Sequence, residues 1–121
     1  MTIYDDAPMV TRVAVLAYHS SPLIEPGSGD AGGMTVYVRE LARAHERLGV
    51  HTDIFTRATG DEPRVVVLSE RVRVVSIAAG PSRPLPKERL PEYVEDFAAG
   101  VRAFATMQRV TYDVVHSHYW Q

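Results

Sequence analysis

The chain has 121 residues, 45% hydrophobic and 23% charged, a balance that supports one packed domain and argues against disorder. Its formal net charge of −2 lacks the basic footprint that binding to a nucleic-acid backbone requires. With no cysteine, it can form neither a disulfide nor a thiolate metal site.

No apolar run approaches the ~20 residues needed to span a bilayer. The first ten residues carry Asp5 and Asp6 and lack a basic stretch followed by an apolar one, so no secretory signal is expected. A cytoplasmic location is therefore expected. Residues 1–11 read as a polar leader, and 12–121 as the folded part.

Arg12 to Tyr18 is a near-continuous apolar run, the pattern of a strand buried on both faces. A loop from His19 to Gly33 follows. Met34, Val38, Leu41, Ala42, His45 and Leu48 then recur at helical spacing, with Arg39, Glu40, Arg43, Glu46 and Arg47 on the other face. Gly49 is placed to end that helix in a left-handed cap.

His51 to Thr56 predicts a second strand, completing a βαβ unit. Arg64–Leu68 and Val72–Ile77 are two more β-rich runs, able to form a hairpin or to sit as successive strands. Gly80 to Lys87 is proline-rich and must be irregular. Pro91 suits the first turn of a further helix, with Glu92, Glu95 and Asp96 near its positive end. Val94, Phe97, Ala98, Val101 and Ala105 would form its apolar face, and Tyr112 to His116 a last short strand. A sheet of this kind normally continues past such a strand, so the chain reads as the first part of something longer. The expected fold class is α/β: a Rossmann-like parallel sheet flanked by helices.

The loop before the first helix holds a literal G-x-G-x-x-G at Gly27, Gly29 and Gly32. In a dinucleotide fingerprint the first glycine follows the strand at once, whereas eight residues separate Tyr18 from Gly27. Asp53 also lies inside the second strand rather than at its end, where a ribose-binding acid belongs. Two readings remain open on the residues alone. One is a flexible turn without a ligand; the other is an anion or sugar site at a helix N-terminus, where free N–H groups and glycine permit close approach.

His116 and His118 alternate onto one face of the last strand, as a metal pair would. No third ligand is apparent and Asp113 has the wrong parity, so no metal site is expected there. His45 and His51 read as histidines without chemistry.

Five segments in order, "HSSPLIEPGSGDAGGMTVYVRELA", "DIFTRAT", "IAAGP", "LPKERLP" and "YDVVHSHYW", resemble the N-terminal domain of family 4 retaining glycosyltransferases. The likeness runs from Arg12 to Trp120. It is nearest to the branch that transfers N-acetylglucosamine from UDP-GlcNAc to 1D-myo-inositol 3-phosphate in mycothiol biosynthesis. It implies an incomplete N-terminal half of a GT-B fold, the acceptor side, with the C-terminal donor domain absent and the isolated chain inactive.

By the same resemblance, His19, Asp30, Ala31, Gly32, Gly33, Met34, Thr35, Lys87 and Tyr119 bind the acceptor. Lys87 and Tyr119 would contact its phosphate. Glu25, Pro26 and Gly33 would touch the nucleotide-sugar. Glu25 stands where the family often has glutamine, and Thr35 where the branch usually has asparagine. Asparagine donates and accepts in a planar array, while threonine offers one hydroxyl.

No catalytic residue is assigned within the chain. The partners implied are small molecules, a nucleotide-sugar and a phosphorylated polyol, with no nucleic acid and no membrane span. A homodimer is an expectation for the full-length enzyme only. No cofactor is tightly bound, UDP-sugar enters as a substrate, and any Mg ion would take its ligands outside this chain. A side chain at Gly33 is expected to block the ligand and strain the helix start. The rival classes are a non-catalytic phosphate- or sugar-binding module, a structural domain acting through a partner, and a dinucleotide oxidoreductase weakened by the loop spacing.

Overall fold

A computed structural model describes residues 9–19, 21–23 and 33–118. The elements run β1 (Arg12–Leu16), α1 (Gly33–Arg47), β2 (His51–Arg57), β3 (Val65–Ser69), β4 (Val72–Ile77), a 3-10 segment (Lys87–Tyr93), α2 (Val94–Gln108) and β5 (Val114–Ser117). They build one sheet in the order β3-β4-β2-β1-β5. β1 pairs in parallel with β2 and β5, and β2 with β4. The expected Rossmann-like parallel sheet is present, with one antiparallel strand on its edge.

That edge strand settles the open pairing, because β3 and β4 form an antiparallel hairpin. The hairpin's turn is held from α1. The Glu46 carboxylate accepts from the Ser69 hydroxyl at 2.7 Å and the Arg71 N–H at 2.8 Å. These hydrogen bonds, Ser69's first, hold the Glu46 carboxyl below its ordinary value.

Strand alternation divides the core into two layers. Ala14, Phe55, Val75 and Ile77 face α2, where Phe97 and Phe104 close a cluster with Tyr18 and Leu90. Val13, Val15, Ile54, Val72 and Val74 face α1 and pack on Val38 and Ala42. The central strands are therefore apolar on both faces, which is why β1 reads as a continuous run. Phe55 and Phe104 meet edge to face at 5.5 Å. Each such fully buried side chain contributes roughly 1.5–3 kcal/mol.

Several boundaries differ from the sequence reading. β1 ends at Leu16 rather than Tyr18, although the ladder continues through Ala17 N–H to Phe55 O and Arg57 N–H to Tyr18 O. α1 closes as expected at Gly49, which adopts φ +78°, but its last helical residue is Arg47. Leu48 therefore sits in the turn, 79% exposed, and does not belong to the apolar face.

Pro91 lies inside the 3-10 segment, and the α-helix begins only at Val94. Glu95 and Asp96 occupy its first turn, but Glu92 precedes it. The buried aromatic of the second turn-pair is Phe104, seven residues after Phe97, rather than the small Ala105. β5 starts at Val114 instead of Tyr112 because the two preceding side chains are tied elsewhere. Tyr112 donates to Asp53 at 2.6 Å, and Asp113 accepts the N–H groups of Thr11 and Arg12 at 2.8 and 3.0 Å.

Asp53 is the polar centre of the sheet's amino-terminal side. It is 1% exposed, and its carboxylate takes Arg73 through Nε at 2.7 Å and Nη2 at 2.9 Å. Arg12 approaches it at 3.4 Å. Burial alone pushes this carboxyl up, but hydrogen bonds from Arg73 and Tyr112 and the charges of Arg73 and Arg12 outweigh burial. The carboxyl ends below its ordinary value. Burial and the same carboxylate push the Tyr112 hydroxyl well above its own.

Candidate functional site

Because β1, β2, β4 and β5 are parallel, their carboxyl ends share one edge of the sheet. From β1 the chain steps through α1 to β2 and then β4, and α2 returns it across the sheet to β5 on the far side of β1. The direction of winding thus reverses between β1 and β5. Ligands of open α/β sheets collect outside the carboxyl ends of strands at such a reversal.

His19 follows β1 at this edge, half-buried and engaged by other groups. The first turn of α1 starts at Gly33, which is exposed, and carries no acidic side chain to offset the positive end of the helix. A Cβ added at Gly33 would meet nothing within 4 Å, and its φ is not positive. The expected strain at the helix start is therefore absent, since the backbone there is open to any L-residue. Met34 is half-buried against the α1-side core. Thr35 is fully buried and engaged, so it presents no surface of its own.

Lys87 stands exposed at the first position of the 3-10 segment. The middle of that segment is tied to the residues just after β1, because the Tyr18 hydroxyl donates to Leu90 O at 2.7 Å. Tyr18 also packs edge to face on Phe97 at 4.8 Å. Leu16, Tyr18, Phe97, Val101, Ser117 and His118 help to line a small, mostly apolar cavity of about 70 Å³ near the ends of β1 and β5.

The histidine pair lies at the same edge. The His118 backbone N–H donates to Leu16 O at 3.1 Å, and its ring meets Tyr37 of α1 edge to face at 5.2 Å. The His116 and His118 rings are 4.4 Å apart. Burial, and then the neighbouring His116, lower the His118 pKa below its ordinary value. Among the described residues, no group of three or more His, Cys, Asp or Glu side chains could hold a metal ion. His45 is half-buried and shares a 3.0 Å contact with the Thr52 hydroxyl.

Glu25, Pro26, Asp30, Ala31, Gly32 and Tyr119 lie outside the described residues. Of the remaining expected site residues, His19 follows β1 and Gly33 opens α1, both at this edge. Lys87 follows β4 at the same edge. One residue the sequence reading passed over is Arg57, at the end of β2 and only 3% exposed. Its guanidinium donates to Ala79 O, Pro81 O and Arg83 O at 3.2, 2.7 and 2.6 Å. A charged residue closing an apolar strand, ahead of a proline-rich segment short of its own N–H donors, is the signal that points to it.

Comparison with known proteins follows the geometry. The glycosyl transferase 4-like domain family matches residues 32–121. The chain is 54% identical over 110 residues to a D-inositol 3-phosphate glycosyltransferase of Corynebacterium aurimucosum, covering 90% of this chain and 26% of that protein. It is 55% identical over 111 residues to one of Actinosynnema mirum, covering 90% and 27%. The chain thus spans about a quarter of the length of the curated relatives it matches. Among solved structures, the sucrose-phosphate synthase of Thermosynechococcus elongatus, a GT-B enzyme, aligns with a TM-score of 0.84 and 32% identity. That alignment covers 91% of this chain and 27% of the synthase. With the family spanning α1 through β5, the chain belongs to the glycosyl transferase 4-like family.

Proposed function

We propose that this chain supplies the acceptor side of a retaining glycosyltransferase that moves N-acetylglucosamine from UDP-GlcNAc to 1D-myo-inositol 3-phosphate. The observation that carries the reading is the identity of 46–55% to D-inositol 3-phosphate glycosyltransferases over 90% or more of the chain. The winding reversal at the carboxyl edge supports it, because His19, Gly33 and Lys87 all come from loops at that edge.

In this reading the Lys87 ammonium pairs with the acceptor phosphate, and His19 with the inositol ring. Gly33 lets the donor approach the α1 backbone, and Thr35 supports the site from beneath. Asp30, Ala31, Gly32, Met34 and Tyr119 complete the acceptor contacts, with Glu25 and Pro26 on the donor side. Charge that develops on the departing UDP would be stabilised by groups outside this chain, so the chain alone binds acceptor without turnover.

The test is calorimetric titration of the chain with 1D-myo-inositol 3-phosphate, myo-inositol and UDP-GlcNAc. Binding of the phosphorylated polyol, lost for myo-inositol and weakened by Lys87→Ala, is the expected result. Preference for UDP-GlcNAc, or no binding of the phosphorylated polyol by the folded chain, would overturn it. The likeness to a sucrose-phosphate synthase favours a second reading, in which the acceptor is a hexose phosphate. Tighter binding of glucose or fructose phosphates than of the inositol phosphate would select it.

A further inference from the structure

We infer that Arg57 is a positioning residue that sets where Lys87 stands, by clamping the backbone between β4 and the 3-10 segment. The inference rests on the acceptor reading above and adds to it the residue that builds the phosphate-binding loop.

The segment from Ala78 to Pro86 has no regular structure and contains Pro81, Pro84 and Pro86, none of which can donate a backbone hydrogen bond. Within it Pro81 O accepts from the Arg83 N–H at 2.8 Å, and the carbonyls of Ala79 and Arg83 are met by a donor from outside the loop. Arg57 meets three of the loop's carbonyls, at Ala79, Pro81 and Arg83, from one planar guanidinium whose donors lie in a fixed fork. These carbonyls alternate along the loop, so a single side chain fixes its course over five residues. Gly80 permits the path with φ +73°, its Cα packed so closely that an added Cβ would lie 2.7 Å from the Tyr93 ring.

From Arg83, only Pro84, Leu85 and Pro86 lead to Lys87, and Leu85 packs against the α2-side core. Beyond Lys87, Tyr18 holds the chain three residues further on through Leu90 O. Lys87 is thus carried between two anchors, and its own side chain is left exposed. Among the described residues no carboxylate forms an ion pair with Arg57, and its side-chain hydrogen bonds all go to carbonyl oxygens. Carbonyl dipoles satisfy the donors without cancelling the charge, so the loop rests on a buried net positive charge.

The test compares Arg57→Lys, Arg57→Met, Gly80→Ala and Lys87→Ala in the chain, with hydrogen exchange and titration of 1D-myo-inositol 3-phosphate as readouts. Arg57→Met should raise exchange across residues 79–88 while β1 and β2 keep their protection, and should weaken binding about ten-fold, as loss of a charge-assisted contact does. Arg57→Lys keeps the charge and loses the fork, so it should weaken binding similarly; Gly80→Ala should do so by displacing the same loop. The double variant Arg57→Met/Lys87→Ala should bind no worse than Lys87→Ala alone, since one residue acts through the other. Full affinity in Arg57→Lys, additive losses in the double variant, or unchanged exchange in residues 79–88 would each overturn the inference. If the unaltered chain binds no inositol phosphate, the acceptor reading falls, and the exchange data alone decide whether Arg57 clamps the loop.

Discussion

β2 holds a buried acid towards one end and a buried base at the other, on the same face of the sheet. Asp53 is surrounded by groups that neutralise it, two guanidinium groups and a phenol. Arg57 is surrounded by carbonyl oxygens that satisfy its donors and leave its charge in place. The first arrangement ties β1, β2, β4 and the entry to β5 together. The second orders one irregular loop beside the carboxyl edge. Charge that is cancelled serves the fold here, and on the acceptor reading proposed above charge that is kept serves the site.

That contrast can be broken most forcefully at Asp53. Asp53→Ala leaves Arg73 and Arg12 without their carboxylate and should cost about 3–5 kcal/mol, the range for removing one partner of a buried pair. Urea unfolding checks this, and a cost below that of an ordinary surface substitution would refute the structural role.

The next effect is one of pH. Asp53 is held below its ordinary value of 3.8, so its contribution is fully present above that value. It is lost as pH falls through the lower folded value. The stability difference between the unaltered chain and Asp53→Asn should therefore be constant near neutrality and shrink below pH 3.8. A difference that grows on acidification would reverse the sign of the argument.

Arg57→Met should destabilise less, by about 1–3 kcal/mol, because what it abandons is a set of neutral carbonyls. Thermal unfolding should place it clearly above Asp53→Ala. The smallest effect is expected at Gly33→Ala, where the added methyl meets open space; stability should move by no more than about 1 kcal/mol in either direction. Lower affinity for the phosphorylated acceptor with unchanged stability would then report ligand access at the helix start.

Much of the fold was legible in the sequence because periodicity reports burial directly. The βαβ unit, the cap at Gly49 and the hairpin's two runs follow from spacing alone. Errors arose where a local rule met a competing tertiary one. Pro91 is compatible with a helical first turn, yet Tyr18 holds Leu90 in a 3-10 geometry just ahead of it. Phe104 was overlooked for Ala105, although both continue the stripe from Val101 and only the aromatic fills the space beside Phe55. Tyr112 has strand propensity, but its hydroxyl is claimed by Asp53.

The site was legible differently. Lys87 and Gly33 came from resemblance to a family, whereas Arg57 and Asp53 are defined by partners 20 or more residues away, which no local pattern displays.

Asp113 adds a temporal dimension to this architecture. Its bonds to Thr11 and Arg12 join groups 102 and 101 residues apart, and through them β1 meets its second neighbour, β5. Of the described strands, the one made first on the ribosome is thus the one completed last. Closing so long a loop slows folding more than it weakens the final state. A nascent chain would hold β1 beside β2 with one edge unsatisfied until β5 emerges. During that interval, recruitment of a chaperone or pairing with a foreign strand competes with completion of the sheet.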